Sequence, residues 1–126
     1  MTHSRLARLL SPRSIAVVGG REAEEVMRQC ERIGFSGDLW PVNPRRAEML
    51  GRKCFSSVAE LPGPPDAAFV AVQREAAILT VGELARLGAA GAVVYASGFS
   101  EVGPEGAALV RDLVRASGAM ALIGPY

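Results

Sequence analysis

Short apolar runs alternate along this chain with segments whose apolar side chains recur every three or four residues. The first apolar run covers residues 14–18 and ends at Gly19-Gly20, and residues 22–33 carry the wider spacing. A short, uniformly apolar run is typical of a strand buried on both faces, whereas the wider spacing is typical of a helix with one inward stripe. The beginning of the chain therefore predicts a strand, a glycine turn and a helix.

The same alternation continues to the end of the chain. Further strands are predicted over residues 38–43, 66–72, 91–95 and 119–123, and further helices over residues 75–87 and 105–116. Shorter helical pieces are predicted over residues 45–50 and 57–61, with an extended piece between them at residues 53–56. Pro41 has no N–H to give to a strand ladder, so it favours an outer or irregular position for the second strand.

Apolar strands that alternate with amphipathic helices are expected to pair in parallel through right-handed crossovers. The sequence therefore predicts one α/β domain over residues 1–126, with a Rossmann-like, doubly wound parallel sheet of about five strands and helices on both faces. The expected strand order is 3-2-1-4-5. Ligands of such folds bind outside the carboxyl ends of the strands where the order reverses, here between the first and fourth strands.

Composition and charge remove several classes of function. The 126 residues carry a formal net charge of +1, so no overall field attracts nucleic acid or an anionic membrane. No apolar stretch approaches the roughly 20 residues that span a bilayer, and the first residues lack the apolar core of a secretory signal. Two cysteines and one histidine suggest neither a disulfide framework nor a metal site. A cytoplasmic protein is expected.

The turn at Gly19-Gly20 is compatible with a dinucleotide site, but two features argue against that ligand. The GxGxxG fingerprint is missing, and the helix that follows begins with acidic residues, which repel a pyrophosphate. The second strand ends without the carboxylate that usually binds the ribose hydroxyls. It ends instead at Asn43-Pro44-Arg45-Arg46, a local group of cations suited to an anionic ligand.

Several segments taken together resemble a known family. They are SIAVVG at residues 14–19, WPVNP at residues 40–44, GFSEVG at residues 98–103 and LIGP at residues 122–125. In this order and spacing they look like the N-terminal CoA-binding domain of NDP-forming (ADP-forming) acyl-CoA synthetases, which are relatives of the succinyl-CoA ligase α subunit. The resemblance covers nearly the whole chain, and it implies coenzyme A as the cofactor.

The resemblance also implies which residues bind CoA, by position in the family's pattern. Glycine amides and arginines would bind the phosphates, Val72 would lie beside the adenine, and the fourth loop would bind pantetheine. The residues so implied are Gly19, Gly20 and Arg21, then Asn43, Pro44, Arg45 and Arg46, then Val72 and Gln73, and finally Ser97, Gly98 and Phe99. The chain departs from the family in the first of these groups, where the glycine turn is several residues shorter.

No catalytic residue is predicted in this chain. The family's chemistry, as the resemblance implies it, passes a phosphoryl group through a histidine of a second domain, and an ATP-grasp domain supplies ATP or ADP with Mg. The only histidine here is His3, near the start of the chain. The expected partners are therefore CoA or acyl-CoA, together with histidine-bearing and ATP-grasp domains in the same polypeptide or in a second subunit.

The sequence thus predicts the CoA-binding first domain of a longer acyl-CoA synthetase, presenting CoA to an acyl phosphate made elsewhere. Two alternatives stay open. The first is a stand-alone or degenerate domain that binds CoA or acyl-CoA as a sensor, without catalysis, and the second is a fragment of a dinucleotide-binding enzyme. Self-association into a homo-oligomer is compatible with each of them.

Overall fold

The computed structural model describes residues 4–96 and 103–126. In chain order the elements are α1 (Arg5–Leu10), β1 (Ser14–Gly19), α2 (Arg21–Arg32), β2 (Asp38–Val42), β3 (Glu48–Met49), β4 (Arg52–Lys53), a 3-10 turn (Val58–Glu60), β5 (Ala67–Ala71), α3 (Arg74–Leu87), β6 (Gly91–Val94), α4 (Pro104–Ser117) and β7 (Ala121–Ile123). The five strands predicted for the main sheet correspond to β1, β2, β5, β6 and β7.

The main sheet is parallel, and its strands lie in the order β2-β1-β5-β6-β7. The parallel, five-stranded Rossmann-like fold is confirmed, but the predicted order 3-2-1-4-5 is wrong, because the third strand, β5, pairs with β1 and not with β2. The reason lies at the outer edge of β2. There the Phe55 N–H donates to the Pro41 carbonyl oxygen at 2.9 Å, and the Asn43 N–H donates to the Phe55 oxygen at 2.9 Å.

Pro41 fits this edge position. The N and C=O of one strand residue point to the same side, and the Pro41 carbonyl points outward to Phe55. The missing N–H therefore lies on the outer side too, and it costs the β1–β2 ladder no hydrogen bond. The outer position that Pro41 favours is thus confirmed. With this strand order, the reversal lies between β1 and β5. It was expected between β1 and the fourth predicted strand, which is β6. The ligand crevice expected at that reversal moves with it.

Helices cover both faces of the sheet, as predicted. On one face α2 buries Ala23 and Met27 against Val17 and Leu39. On the other face α3 and α4 bury Leu84 and other apolar side chains against alternate residues of the same strands. Because strand side chains alternate between faces, adjacent residues of β1 serve the two separate cores.

The prediction of a short helix over residues 45–50 is wrong. The chain forms a small hairpin there, in which Glu48 pairs with Lys53 and Met49 pairs with Arg52. Leu50 and Gly51 both have positive φ values, 49° and 77°, as a tight two-residue hairpin turn requires. The hairpin buries Met49 in the core beneath α2.

Part of the sheet on the α2 side stays exposed within the described residues. Tyr95 stacks on Phe69 of β5 with the ring centroids 6.4 Å apart, yet half of Tyr95 is exposed. Ile123 of β7 is 44% exposed. None of the helices in the described part of the chain has the length and apolar character that crossing a bilayer requires.

The carboxylate of Asp66 ties the start of the chain to the sheet. Arg8 Nε donates to Asp66 Oδ1 at 2.8 Å, and the Arg13 N–H donates to Asp66 Oδ2 at 2.8 Å. The guanidinium of Arg8 also donates to the carbonyl oxygens of Gly88 and Pro65. Burial alone would raise the pKa of Asp66, but the hydrogen bonds from Arg8 and Arg13 outweigh it and lower that pKa.

Replacing Asp66 by asparagine is expected to lower the free energy of unfolding at pH 7 by about 1–3 kcal/mol, because a charge-assisted contact is lost. A carboxyl whose pKa is lower in the folded state stabilises the fold above its unfolded pKa, about 3.9, and stops doing so as pH falls through the folded value. The difference between D66N and the parent should therefore shrink below about pH 4. Urea unfolding followed by circular dichroism at several pH values measures it.

Asp112→Asn is the matched control, because Asp112 is exposed on α4 and forms no ion pair among residues 4–96 and 103–126. It should change the free energy of unfolding by less than about 0.5 kcal/mol. Equal effects of D66N and D112N would contradict the role given to Asp66.

Candidate functional site

A cavity of about 420 Å³ lies at the carboxyl ends of β1, β2 and β5. This is the point where the strand order reverses, and the volume is within the range of small-molecule sites. The residues that line it are Val18, Gly19, Gly20, Val42, Asn43, Pro44, Arg45, Ser56, Ser57, Val58, Ala71, Val72, Ala76, Thr80 and Glu83. One wall is thus the glycine turn, a second is the loop after β2, and a third is one stripe of α3.

The two glycines of the turn differ in what surrounds them. Gly19 has a φ of 140°, and a Cβ there would collide with the carbonyl oxygen of Ala71 at the end of β5. The absence of a side chain at Gly19 lets β1 and β5 run side by side to their ends. Around Gly20, a Cβ would meet no atom within 4 Å, so its backbone faces open space at the start of α2.

The side chain of Asn43 joins two walls of the cavity. Its Nδ2 donates to the Gly19 carbonyl oxygen at 2.9 Å, and its Oδ1 accepts from the Arg45 N–H at 2.8 Å. The amide therefore fixes the glycine turn relative to the loop after β2. Because one N–H and the oxygen of its amide bind the backbone of two walls, Asn43 serves here as a positioning residue.

Arginines 45 and 46 differ in their surroundings. Arg45 lines the cavity and forms no ion pair within the described parts of the chain. Arg46 Nη1 instead lies 2.9 Å from Glu24 Oε2, and Arg28 Nη2 lies 2.6 Å from the other oxygen of the same carboxylate. The hydrogen bond from Arg46, helped by Arg28, lowers the pKa of Glu24. Arg45 is thus the cation of this pair that is available to a ligand in the cavity.

The structure brings together six of the residues implied by the sequence: Gly19, Gly20, Asn43, Pro44, Arg45 and Val72. Three others, Arg21, Arg46 and Gln73, neighbour lining residues in the chain without lining the cavity themselves. The remaining three, Ser97, Gly98 and Phe99, lie outside the described residues.

Sequence reasoning missed two groups of lining residues. Ser56 and Ser57 precede the 3-10 turn, and Ala76, Thr80 and Glu83 lie on α3. The signal in α3 was present, because positions 76, 80 and 83 follow the four-and-three spacing of one helix face. These positions adjoin the buried face of α3, where Ala77, Val81 and Leu84 pack into the core.

Neither cysteine has the character of a nucleophile. Burial raises the pKa of the Cys54 thiol, which is 7% exposed, and burial with the nearby Glu31 raises that of Cys30. Because a thiol attacks as its thiolate, a raised pKa makes both side chains less reactive at neutral pH.

A family model described as a CoA binding domain matches residues 13–125 of this chain. The chain belongs to this family of CoA-binding domains. The match covers the glycine turn, the loop after β2 and the stripe of α3, which are the three walls of the cavity.

Three relatives show where such a domain occurs. A trans-feruloyl-CoA synthase from an unknown prokaryotic organism is 41% identical over 110 residues, which cover 83% of this chain and 16% of that protein. Subunit alpha of an ADP-forming acetate–CoA ligase II from Pyrococcus furiosus is 34% identical over 122 residues, covering 91% of this chain and 26% of that subunit. The solved apo structure of a dinucleotide forming acetyl-coenzyme A synthetase from Ca. Korarchaeum cryptofilum superposes with a TM-score of 0.85 and 33% identity, covering 95% of this chain and 27% of that one.

These findings confirm the resemblance to ADP-forming acyl-CoA synthetases and support coenzyme A as the cofactor of the domain. The CoA-binding domain described here spans at most 27% of the length of the three proteins named above. It is homologous to one part of those proteins.

Asn43→Ala removes both hydrogen bonds that fix the glycine turn, so we expect the free energy of unfolding to fall by about 1–2 kcal/mol. Urea unfolding measures this change. Gln29→Ala is the control, because it also removes an amide hydrogen bond, but one made on the surface of α2 to Glu25. Equal stabilities of N43A and Q29A would contradict the positioning role of Asn43.

Proposed function

We propose that this domain binds CoA in the crevice at the ends of β1, β2 and β5, as the CoA-binding module of an ADP-forming acyl-CoA synthetase. In the complete acid–thiol ligase, the module would present the CoA thiol to an acyl phosphate made by other domains. The observation that carries the proposal is that two features suited to phosphate lie on different walls of one cavity, in a domain of this family. The open backbone of Gly20 lies on one wall, and Arg45, which forms no ion pair within residues 4–96 and 103–126, lies on the other.

The physical properties of these walls suit the phosphates of CoA. A chain with a net charge of +1 attracts anions only where cations are concentrated locally, and Arg45 provides such a charge at the mouth of the cavity. Backbone N–H groups at a helix start also favour phosphate, and Gly20 leaves room for close approach. We therefore place the phosphates between Gly20 and Arg45.

The remaining walls suit the adenosine of CoA. Val42, Val58 and Val72 supply apolar surface of the kind that contacts a planar base. Thr80 and Glu83 on α3 add a hydroxyl and a carboxylate, which can accept hydrogen bonds from an amino group. Pantetheine would then extend toward the fourth loop, in which Ser97, Gly98 and Phe99 remain the residues predicted to bind it.

Partner domains follow from the same proposal. The relatives are several times longer than this chain, and one of them is a subunit alpha, which supports cooperation with a further subunit. Histidine-bearing and ATP-grasp domains, in the same polypeptide or in a second subunit, would carry out the phosphoryl transfer with ATP or ADP and Mg. The cytoplasmic location and any homo-oligomer remain predictions.

The second candidate is a stand-alone or degenerate domain without catalysis, which serves as a sensor or interaction domain with weakened CoA or acyl-CoA binding. The observation that favours it is the acidic first turn of α2, where Glu22 and Glu24 follow the short glycine turn and weaken its attraction for phosphate. A dinucleotide-binding fragment has less support, because the lining residue at the end of β2 is Asn43 rather than a carboxylate.

Calorimetric titration of the domain with CoA, ATP, NAD and NADP tests the proposal against the dinucleotide alternative. We expect CoA to bind more tightly than either NAD or NADP. Binding of a dinucleotide in the micromolar range with no heat from CoA would contradict the proposal. Reconstitution with a histidine-bearing and an ATP-grasp partner would then separate the ligase from the sensor, since only the ligase makes acyl-CoA.

Arg45→Ala is expected to weaken CoA binding by about 1–3 kcal/mol, the range typical of charge-assisted contacts. Arg111→Ala is the control, because it removes the same charge from an exposed position of α4 that does not line the crevice. Calorimetry on the two variants should show a loss for R45A alone. An unchanged affinity of R45A would mean that the phosphates lie elsewhere.

A further inference from the structure

An ion pair joins two walls of the crevice on its α2 side. Glu24 belongs to the first turn of α2, and its N–H donates to the Gly20 carbonyl oxygen at 2.9 Å. Arg46 directly follows Arg45 in the loop after β2, and its Nη1 lies 2.9 Å from Glu24 Oε2. The pair therefore connects the turn that carries Gly20 with the loop that carries Arg45.

The carboxylate in this pair is partly shielded from water. The Glu24 side chain is 20% exposed, compared with 55% for its neighbour Glu25. Two arginines hold it, since Arg28 Nη2 lies 2.6 Å from Glu24 Oε1. A charge in such a position is screened less than one in open solvent, so its field reaches further toward the cavity.

Two consequences for an anionic ligand follow. Arg46 is not available while Glu24 holds its guanidinium, although it stands beside the one lining arginine of the described crevice, Arg45. Glu24 also adds a negative charge to the first turn of the helix that begins after Gly20, and a charge of that sign there disfavours an anion at the helix start. A phosphate placed between Gly20 and Arg45 would therefore compete with Glu24 for Arg46.

We propose that Glu24 restrains Arg46 and so limits the affinity of this crevice for the phosphates of CoA. The inference rests on the proposed function, because it takes CoA as the ligand. It adds that the Glu24 carboxylate occupies Arg46 when no ligand is bound. A CoA phosphate must displace that carboxylate before it can contact Arg46 as well as Arg45.

Glu24→Gln tests this directly, because glutamine keeps the shape and a hydrogen-bond acceptor but loses the charge. We expect E24Q to bind CoA about three- to tenfold more tightly in calorimetry at low salt, as removal of a unit charge at close range predicts. The gain should vanish in about 1 M NaCl, where the screening length falls to about 3 Å.

Two further variants make the test specific. Glu25→Gln removes the same charge from the same helix, but Glu25 contacts Arg28 and Gln29 and not Arg46, so E25Q should change CoA affinity less than about twofold. The double variant E24Q/R46A should lose the gain of E24Q, since Arg46 is the group released. Thermal unfolding establishes that each variant is folded.

The outcomes separate this inference from the proposed function. If the parent domain binds CoA and E24Q binds it no better, or E25Q binds it equally well as E24Q, the role of Glu24 is overturned and CoA binding stands. Persistence of the full gain in E24Q/R46A overturns the competition for Arg46. If neither the parent nor E24Q binds CoA, the proposed function and the inference both fail.

Discussion

The close approach of β1 and β5 at Gly19 is the constraint on which the rest of the site depends. A side chain at Gly19 would occupy the space of the Ala71 carbonyl oxygen, so the two strands reach their ends side by side only because this position is glycine. Their pairing puts the reversal of strand order at this point. The cavity, the start of α2 and the loop after β2 all take their positions from it.

The positions of the charged side chains around the crevice matter more than how many there are. Two neighbouring arginines follow β2, yet Arg45 lines the cavity and Arg46 is bound to Glu24 on the helix side. In the proposed site, the affinity for anions would depend on which cations are free more than on the net charge. The glycine turn and the acidic first turn of α2 act in opposite directions on a phosphate, so their balance sets the affinity.

The strands, the helices and the parallel sheet could be predicted from the sequence because the pattern of apolar residues fixes local structure and burial. The order of the strands could not, because it depends on what lies at the edge of β2, where Phe55 takes the place that β5 was expected to fill. The hairpin at residues 48–53 was missed because its turn depends on positive φ values at Leu50 and Gly51, and apolar spacing does not report these.

The lining of the cavity was predictable where it follows strand ends. Gly19, Gly20 and the residues after β2 follow directly from the glycine turn and the resemblance, whereas Thr80 and Glu83 enter the cavity through the packing of α3. The pairing of Arg46 with Glu24 joins residues 22 positions apart, and no local pattern in the chain indicates it.

The most direct test of the account is a titration of the ¹⁵N-labelled domain with CoA, followed by amide chemical shifts. If the phosphates lie between the glycine turn and the loop after β2, the largest shifts should fall on Gly19, Gly20 and Arg45, with smaller ones on Val72. Shifts confined to the opposite end of the sheet, around Phe35 and Gly37, or no shifts at saturating CoA, would contradict it.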